Sequence, residues 1–219
     1  MPPLLRDSRL FRHAARMFWG EHFDRLAEFR AKATYLTAEE YATLYRDHPR
    51  VHEGTDNTDA CVEKIVADCA GSGSICDVGC GTGELLRRLR ERLGSSVGRY
   101  VGVDFVVEDA AALPGVEFIA ANIERLPFKD GEFDTVICTH TLEHILDIRA
   151  AISELRRITR RQLIAVVPCE REYRYTFNPH FNFFPYPHSF LKVMHPSPPS
   201  HSCELVGRDI YYREDRTSE

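Results

Sequence analysis

The 219 residues predict an α/β protein, a three-layer sandwich in which a mostly parallel sheet of six to seven strands carries helices on both faces. Three observations predict it. Between residues 59 and 168, short apolar runs alternate with helical ones in the β-α-β order of a parallel sheet. The short runs are apolar, as strands covered on both sides must be. A glycine turn joins the first of them to the helix behind it, in Ile75-Cys-Asp-Val-Gly-Cys-Gly-Thr-Gly-Glu-Leu-Leu86.

The elements follow in order. Residues 8–31 set Leu10, Ala14, Met17 and Phe18 on one helical face, then Phe23, Leu26, Ala27 and Phe29, with a break near Gly20. Thr37-Ala-Glu-Glu40 is a capping box opening a second helix that runs through about Arg46 and carries Tyr41 and Tyr45. A third helix spans about 59–69, and Gly71-Ser-Gly73 breaks the chain before the strand at 75–78. A helix follows from Glu84 to about Leu93, then strands at 100–104, 116–120 and 133–138. Helical residues from about 141 to 158, interrupted near Asp147, lead to a strand at 162–167 that Pro168 stops. The last 50 residues carry an aromatic run, a short helix near 189–194, and strand-like segments at 203–206 and 209–212. Those two segments form either a hairpin or one bulged strand.

Composition removes several classes. The net charge is −5 with no long lysine or arginine run, which argues against a general nucleic-acid binder. No apolar run approaches the roughly 20 residues of a membrane helix. Seven cysteines, an odd number without a C-x-x-C pair, read as reduced thiols in a cytoplasmic protein. Arg6, Arg9, Arg12 and Arg16 near the start fit a transit peptide or an amphipathic helix; Glu21, Asp24 and Glu28 continue the helical pattern and favour the helix. We expect one domain over 1–219: a helical cap at 1–58, a cofactor-binding core at 59–168, and a substrate-side segment with terminal strands at 169–219.

Glycine spacing narrows the ligand. A dinucleotide turn is G-x-G-x-x-G, whose last glycine lets the helix pack close beside a pyrophosphate. Here the pattern is G-x-G-x-G, and Glu84 stands where that last glycine would be. A carboxylate there suits the helix dipole but repels a pyrophosphate. Three alternating glycines preceded by Asp77 suit a zwitterionic amino-acid tail instead.

With these residues the segment resembles motif I of the class I S-adenosylmethionine-dependent methyltransferases, a Rossmann-like fold. Asn122-Ile-Glu-Arg-Leu-Pro-Phe128, Asp130-Gly-Glu-Phe-Asp134 and Leu142-Glu-His144 resemble further stretches of that family, the last in its small-molecule branch. The resemblance spans roughly residues 60–168 and implies S-adenosyl-L-methionine as cofactor with a small-molecule acceptor. It implies that Asp77, Gly79, Gly81 and Gly83 hold the cofactor's tail. Asp104, about 20 residues past the glycines, would take the ribose, and Phe105, Asn122 and Ile123 the adenine. Thr139 and His140 would face the reactive end. Asn122 stands where the family commonly has Asp, and keeps the carbonyl acceptor.

An O–H or N–H acceptor needs a base. His140 and His144 are the catalytic candidates, with His180 and His188 in reserve; His144 as a packed helix residue is an equal alternative. Phe181, Phe183, Phe184 and Tyr186 form either the acceptor pocket's wall or sheet-edge core. His140-Thr-Leu-Glu-His144 also spells the inverted zinc-peptidase pattern. That reading lacks a third ligand and leaves the glycine turn unexplained, so no metal is expected. A non-catalytic binding protein on the same fold and a nicotinamide oxidoreductase are the rival functions, the second disfavoured by the glycine spacing.

Overall fold

A computed structural model describes residues 3–27, 32, 35–37, 40, 43, 54–107, 113–175 and 178–216. Strand β1 (Ser74–Val78) lies inside the sheet, and the other strands are laid out from it. On one side stand β2 (Arg99–Asp104) and β3 (Val116–Ala120); on the other, β4 (Phe133–Thr139) and β5 (Thr159–Pro168). Two later strands, β6 (His201–Val206) and β7 (Asp209–Asp215), close the edge in the order β3-β2-β1-β4-β5-β7-β6. The first five are mutually parallel; β7 runs antiparallel to both β5 and β6. The terminal segments are therefore a hairpin turning at Gly207, and the seventh strand is formed.

Alternation along each strand builds two cores. Cys76 and Val78 face one side with Val136, Cys138, Leu163, Ala165 and Val167. Ile75, Ile137, Ile164 and Val166 face the other. Period two sends neighbours to opposite faces, and both faces are covered. Helix α5 (Ile148–Ile158) and helix α6 (Pro187–Met194) cover the first with Leu155, Ile158, Phe190 and Met194. Helix α3 (Asp59–Asp68) and helix α4 (Glu84–Leu93) cover the second with Ile65, Leu85, Leu86 and Leu89. Each such side chain contributes about 1.5–3 kcal/mol by leaving water.

A buried ion pair clamps the antiparallel edge to α5. Arg156 donates from Nε and Nη2 to the two Glu214 oxygens at 2.9 and 2.7 Å, and Tyr212 Oη donates to Glu214 at 2.6 Å.

At the N-terminus, α1 (Pro3–Arg6) and α2 (Arg9–Ala27) precede the core, and Gly20 breaks α2 at φ 60°, ψ −144°. The expected face is buried only in part: Leu10, Met17 and Phe18 are exposed, whereas Phe23 is buried and packs with Phe11 and Ala15 on Tyr175. Periodicity marked the helix, while the contact with the distant 173–175 segment selected its inner face. The capping box forms, with Thr37 N–H donating to Glu40 at 2.8 Å and Glu40 N–H to Thr37 Oγ1 at 3.3 Å. The rest of that helix, with Tyr41 and Tyr45, lies outside the described residues. So do Leu26, Ala27 and Phe29 as packing groups.

One further expectation is corrected. Residues 141–146 are not α-helical: His140 has φ 50°, a 3-10 turn covers Leu142–His144, and α5 starts afresh behind its Asp147 cap. Among the described residues no helix is long and apolar enough to cross a membrane.

Candidate functional site

At the carboxyl ends of β1, β2, β4 and β5 the backbone leaves a cavity of about 1110 Å³. Its first wall is the glycine turn. The N–H groups of Gly79 and Cys80 both donate to Val103 O, at 2.7 and 3.0 Å, tying the turn to the end of β2. Gly79 has φ 82°, and a Cβ there would lie 1.9 Å from Thr141 Oγ1, so only glycine lets the turn after β4 close onto it. Gly83 caps α4 at φ 81° and faces Phe118, whose ring would meet a Cβ at 2.7 Å. Asp77, Gly79 and Gly81 line the cavity; Gly83 acts behind it, in helix–strand packing.

Asp104 Oδ2 accepts the Gly81 N–H at 2.8 Å and Oδ1 accepts the Val106 N–H at 3.3 Å. The acid is thus fixed beside the turn, with second lone pairs left for a ligand. Phe105, 40% exposed, and Ile123 line the cavity next to it. Asn122 also lines it, but its side-chain carbonyl already accepts the Glu124 N–H at 2.9 Å. Asp77 is buried with Oδ1 unpartnered. Burial, and then the Asp104 charge, push its pKa up to about 7. A positive group arriving at this wall meets an acid waiting for a partner.

The opposite wall is polar and comes from four separate segments. Thr139 Oγ1 accepts from Asn57 Nδ2 at 2.9 Å. His140 sits between two carboxylates, its Nδ1 3.7 Å from Glu143 and its Nε2 3.8 Å from Asp209. Neither is a hydrogen bond, and Nε2 is buried without a partner. Burial pulls the His140 pKa down against the pull of Asp209, so the imidazole is neutral near neutral pH. Glu143 is 1% exposed, and burial pushes its carboxyl well above the usual range. His144 Nδ1 donates to Pro179 O at 3.1 Å, and His180 Nδ1 bonds Glu170.

Every expected cofactor and catalytic residue except Gly83 lines this one cavity, as does the reserve His180; His188 does not. Asn57, Glu143, Glu170, Arg208 and Asp209 line it too, and were not expected as site residues. Glu143 lay inside the Leu-Glu-His stretch and was legible; the other four arrive from distant segments, Asp209 from the start of β7, without any local signal. Among the described residues of the aromatic run, Asn178, Pro179 and His180 line the cavity. Phe184 is core, edge-on to Phe190, while Tyr186 stacks on His188 at 45% exposure. Cys80 borders the cavity, but burial raises its thiol pKa, so it is an unreactive small residue of the turn.

Comparison with known proteins agrees with this geometry. The profile of the methyltransferase-domain family matches residues 76–167. A 2-phytyl-1,4-naphtoquinone methyltransferase of Trichormus variabilis is 34% identical over 109 residues, covering 45% of this chain and 47% of that protein. The chain thus spans about half the length of the curated relatives it matches. Two solved structures share the fold over nearly their whole length. The PH0226 protein of Pyrococcus horikoshii has a TM-score of 0.62 at 17% identity, covering 80% of this chain and 99% of its own. A SAM-dependent methyltransferase of Aquifex aeolicus has a TM-score of 0.55 at 16% identity, covering 82% and 98%. The sheet order, the glycine turn and the match over residues 76–167 make the chain similar to S-adenosylmethionine-dependent methyltransferases, with which it shares the fold.

Proposed function

We propose that the protein methylates a small-molecule acceptor from S-adenosyl-L-methionine. The carrying observation is that one cavity is lined both by the glycine turn and Asp104 and by the buried His140 and Glu143. The residues present fit the cofactor. Asp77 offers an orphaned buried carboxylate to an ammonium group, and the turn at Gly79 leaves no Cβ in the way. Gly81 and Asp104 would hold the ribose side, and Phe105 and Ile123 would flank the adenine.

S-adenosylmethionine supplies an electrophilic methyl group on a sulfonium. The chain's own work is orientation and proton removal. Holding two reactants in line contributes up to about 7–11 kcal/mol. His140, neutral and with Nε2 lacking a partner, takes the proton from an acceptor O–H or N–H; Asp209 steadies the resulting charge. The relative named for a naphthoquinone supports a small-molecule acceptor. Seven unpaired cysteines suit a reducing cytoplasm.

The test is a screen of phenols, reduced quinones and amines with S-adenosylhomocysteine formation as readout. Tight S-adenosylhomocysteine binding with product from at least one acceptor supports the proposal. Failure to bind either S-adenosyl compound ends it.

A further inference from the structure

We propose that Glu143, His144 and His180 form a divalent-metal site on the acceptor side of the cavity. Each residue presents one ligand atom, and the three atoms all lie within 4.8 Å of one another. Ligands around a tetrahedral ion at about 2.0–2.2 Å stand roughly 3.5 Å apart, so small side-chain rotations close the set.

Three independent features prepare the site. First, Glu143 is 1% exposed and its Oε2 has no hydrogen-bond partner. A buried carboxylate in that condition is costly until a cation or proton meets it. Second, both imidazoles are held from behind. His180 Nδ1–H donates to the Glu170 carboxylate, and His144 Nδ1–H donates to Pro179 O at 3.1 Å. Such outer support, holding the ring orientation, is what metal-bound histidines use. Third, the loop supplying His180 is pinned to the turn supplying the other two ligands. Phe181 and Asn182 N–H groups both donate to Glu143 O, at 2.7 and 3.0 Å, and Asn182 Nδ2 donates to Ile145 O at 2.7 Å.

The sequence hinted at a metal through His140-Thr-Leu-Glu-His144, but the fold does not use that pairing. His140, with φ 50°, lies between Glu143 and Asp209, and the second imidazole comes from His180. Two imidazoles and one carboxylate select a borderline ion such as Zn²⁺, Co²⁺ or Fe²⁺ over Mg²⁺ or Ca²⁺. Three protein ligands leave positions open for an acceptor oxygen. Bound there, an acceptor hydroxyl becomes more acidic, and its proton passes to His140 Nε2. That role rests on the methyl-transfer reading, whereas the metal site does not.

The test uses the full chain, stripped with a chelator, dialysed and titrated with Zn²⁺ and Co²⁺. Metal analysis and the visible absorption of the Co²⁺ form are the readouts. One equivalent should bind. Glu143→Gln and His180→Ala should each weaken it by more than about 100-fold, and Glu170→Gln by about 10–100-fold, all with S-adenosylhomocysteine affinity retained. His180 sits in a loop, so its variant remains informative if Glu143→Gln unfolds. No stoichiometric ion in the wild type, or equal binding by every variant, overturns the site. Ion binding without any S-adenosylhomocysteine binding keeps the site and removes the methyl-transfer reading. An ion whose removal leaves turnover unchanged removes only its part in the reaction.

Discussion

The carboxylate of Asp104 accepts the backbone N–H of Gly81 at 2.8 Å, so the acid ending β2 and the turn following β1 are one unit. The same acid can then serve a ribose and hold the turn. Asp104→Ala should weaken S-adenosylhomocysteine binding by about 1.5–3 kcal/mol, roughly 10–150-fold. Calorimetric titration of the folded variant checks it; unchanged affinity removes the ribose assignment.

Asp77 should make cofactor binding pH-dependent. Its pKa in the folded chain is about 7, above the ordinary carboxyl value, because burial and Asp104 oppose its charge. Its contribution to the stability of the ligand-free chain is therefore full below the ordinary value near 4 and lost as pH rises through about 7. Binding runs the other way, since an ammonium group needs the ionised acid. Affinity for S-adenosylhomocysteine should rise up to tenfold per pH unit from about pH 5.5 to 7 and then level. Asp77→Asn should bind weakly with a flat profile; a rising profile in that variant assigns the titration to another group.

His140→Ala should slow turnover of an O–H or N–H acceptor by about 10²–10⁴-fold while S-adenosylhomocysteine binds as before. In the wild type the rate should have its acid limb below the usual histidine range, because burial lowers the His140 pKa. A variant with the wild-type rate across that range would show that another group takes the proton.

Arg156→Ala leaves Glu214 buried without its guanidinium and should cost about 3–5 kcal/mol. Denaturant unfolding measures this, and loss of the β7 edge should accompany it. A change within about 0.5 kcal/mol would mean that the pair adds little.

Phe184→Ala and Tyr186→Ala separate core from surface in the aromatic run. Phe184 is 3% exposed and packs on Phe190, so its loss should cost about 3–5 kcal/mol with little effect on acceptor KM. Tyr186 should cost well under 1 kcal/mol. A raised KM in folded Phe184→Ala would return that ring to the pocket.

The sequence by itself determined the parallel core and its glycine turn. Apolar runs such as Val136-Ile-Cys138 and the steps Gly79, Gly81, Gly83 record local requirements: burial on two faces, and backbone that a Cβ would obstruct. The hairpin at Gly207, which the sequence left open, needed β5 as its template, because β7 pairs there along its length. The inner face of α2 awaited Tyr175, far along the chain.

The cavity's two walls differ in the same way. The wall of Asp77, Gly79, Gly81 and Asp104 comes from adjacent strand ends with regular spacing, so its residues could be read in order. The facing wall gathers Asn57, Glu143, His180 and Asp209 from four segments. Only tertiary structure decided that His140 leaves the helical register to face Asp209, and that His180 joins Glu143 and His144. The physical reason is that spacing along a chain encodes neighbours within one element. Groups brought together by loop packing, such as Phe181 and Asn182 on Glu143 O, leave no period to find.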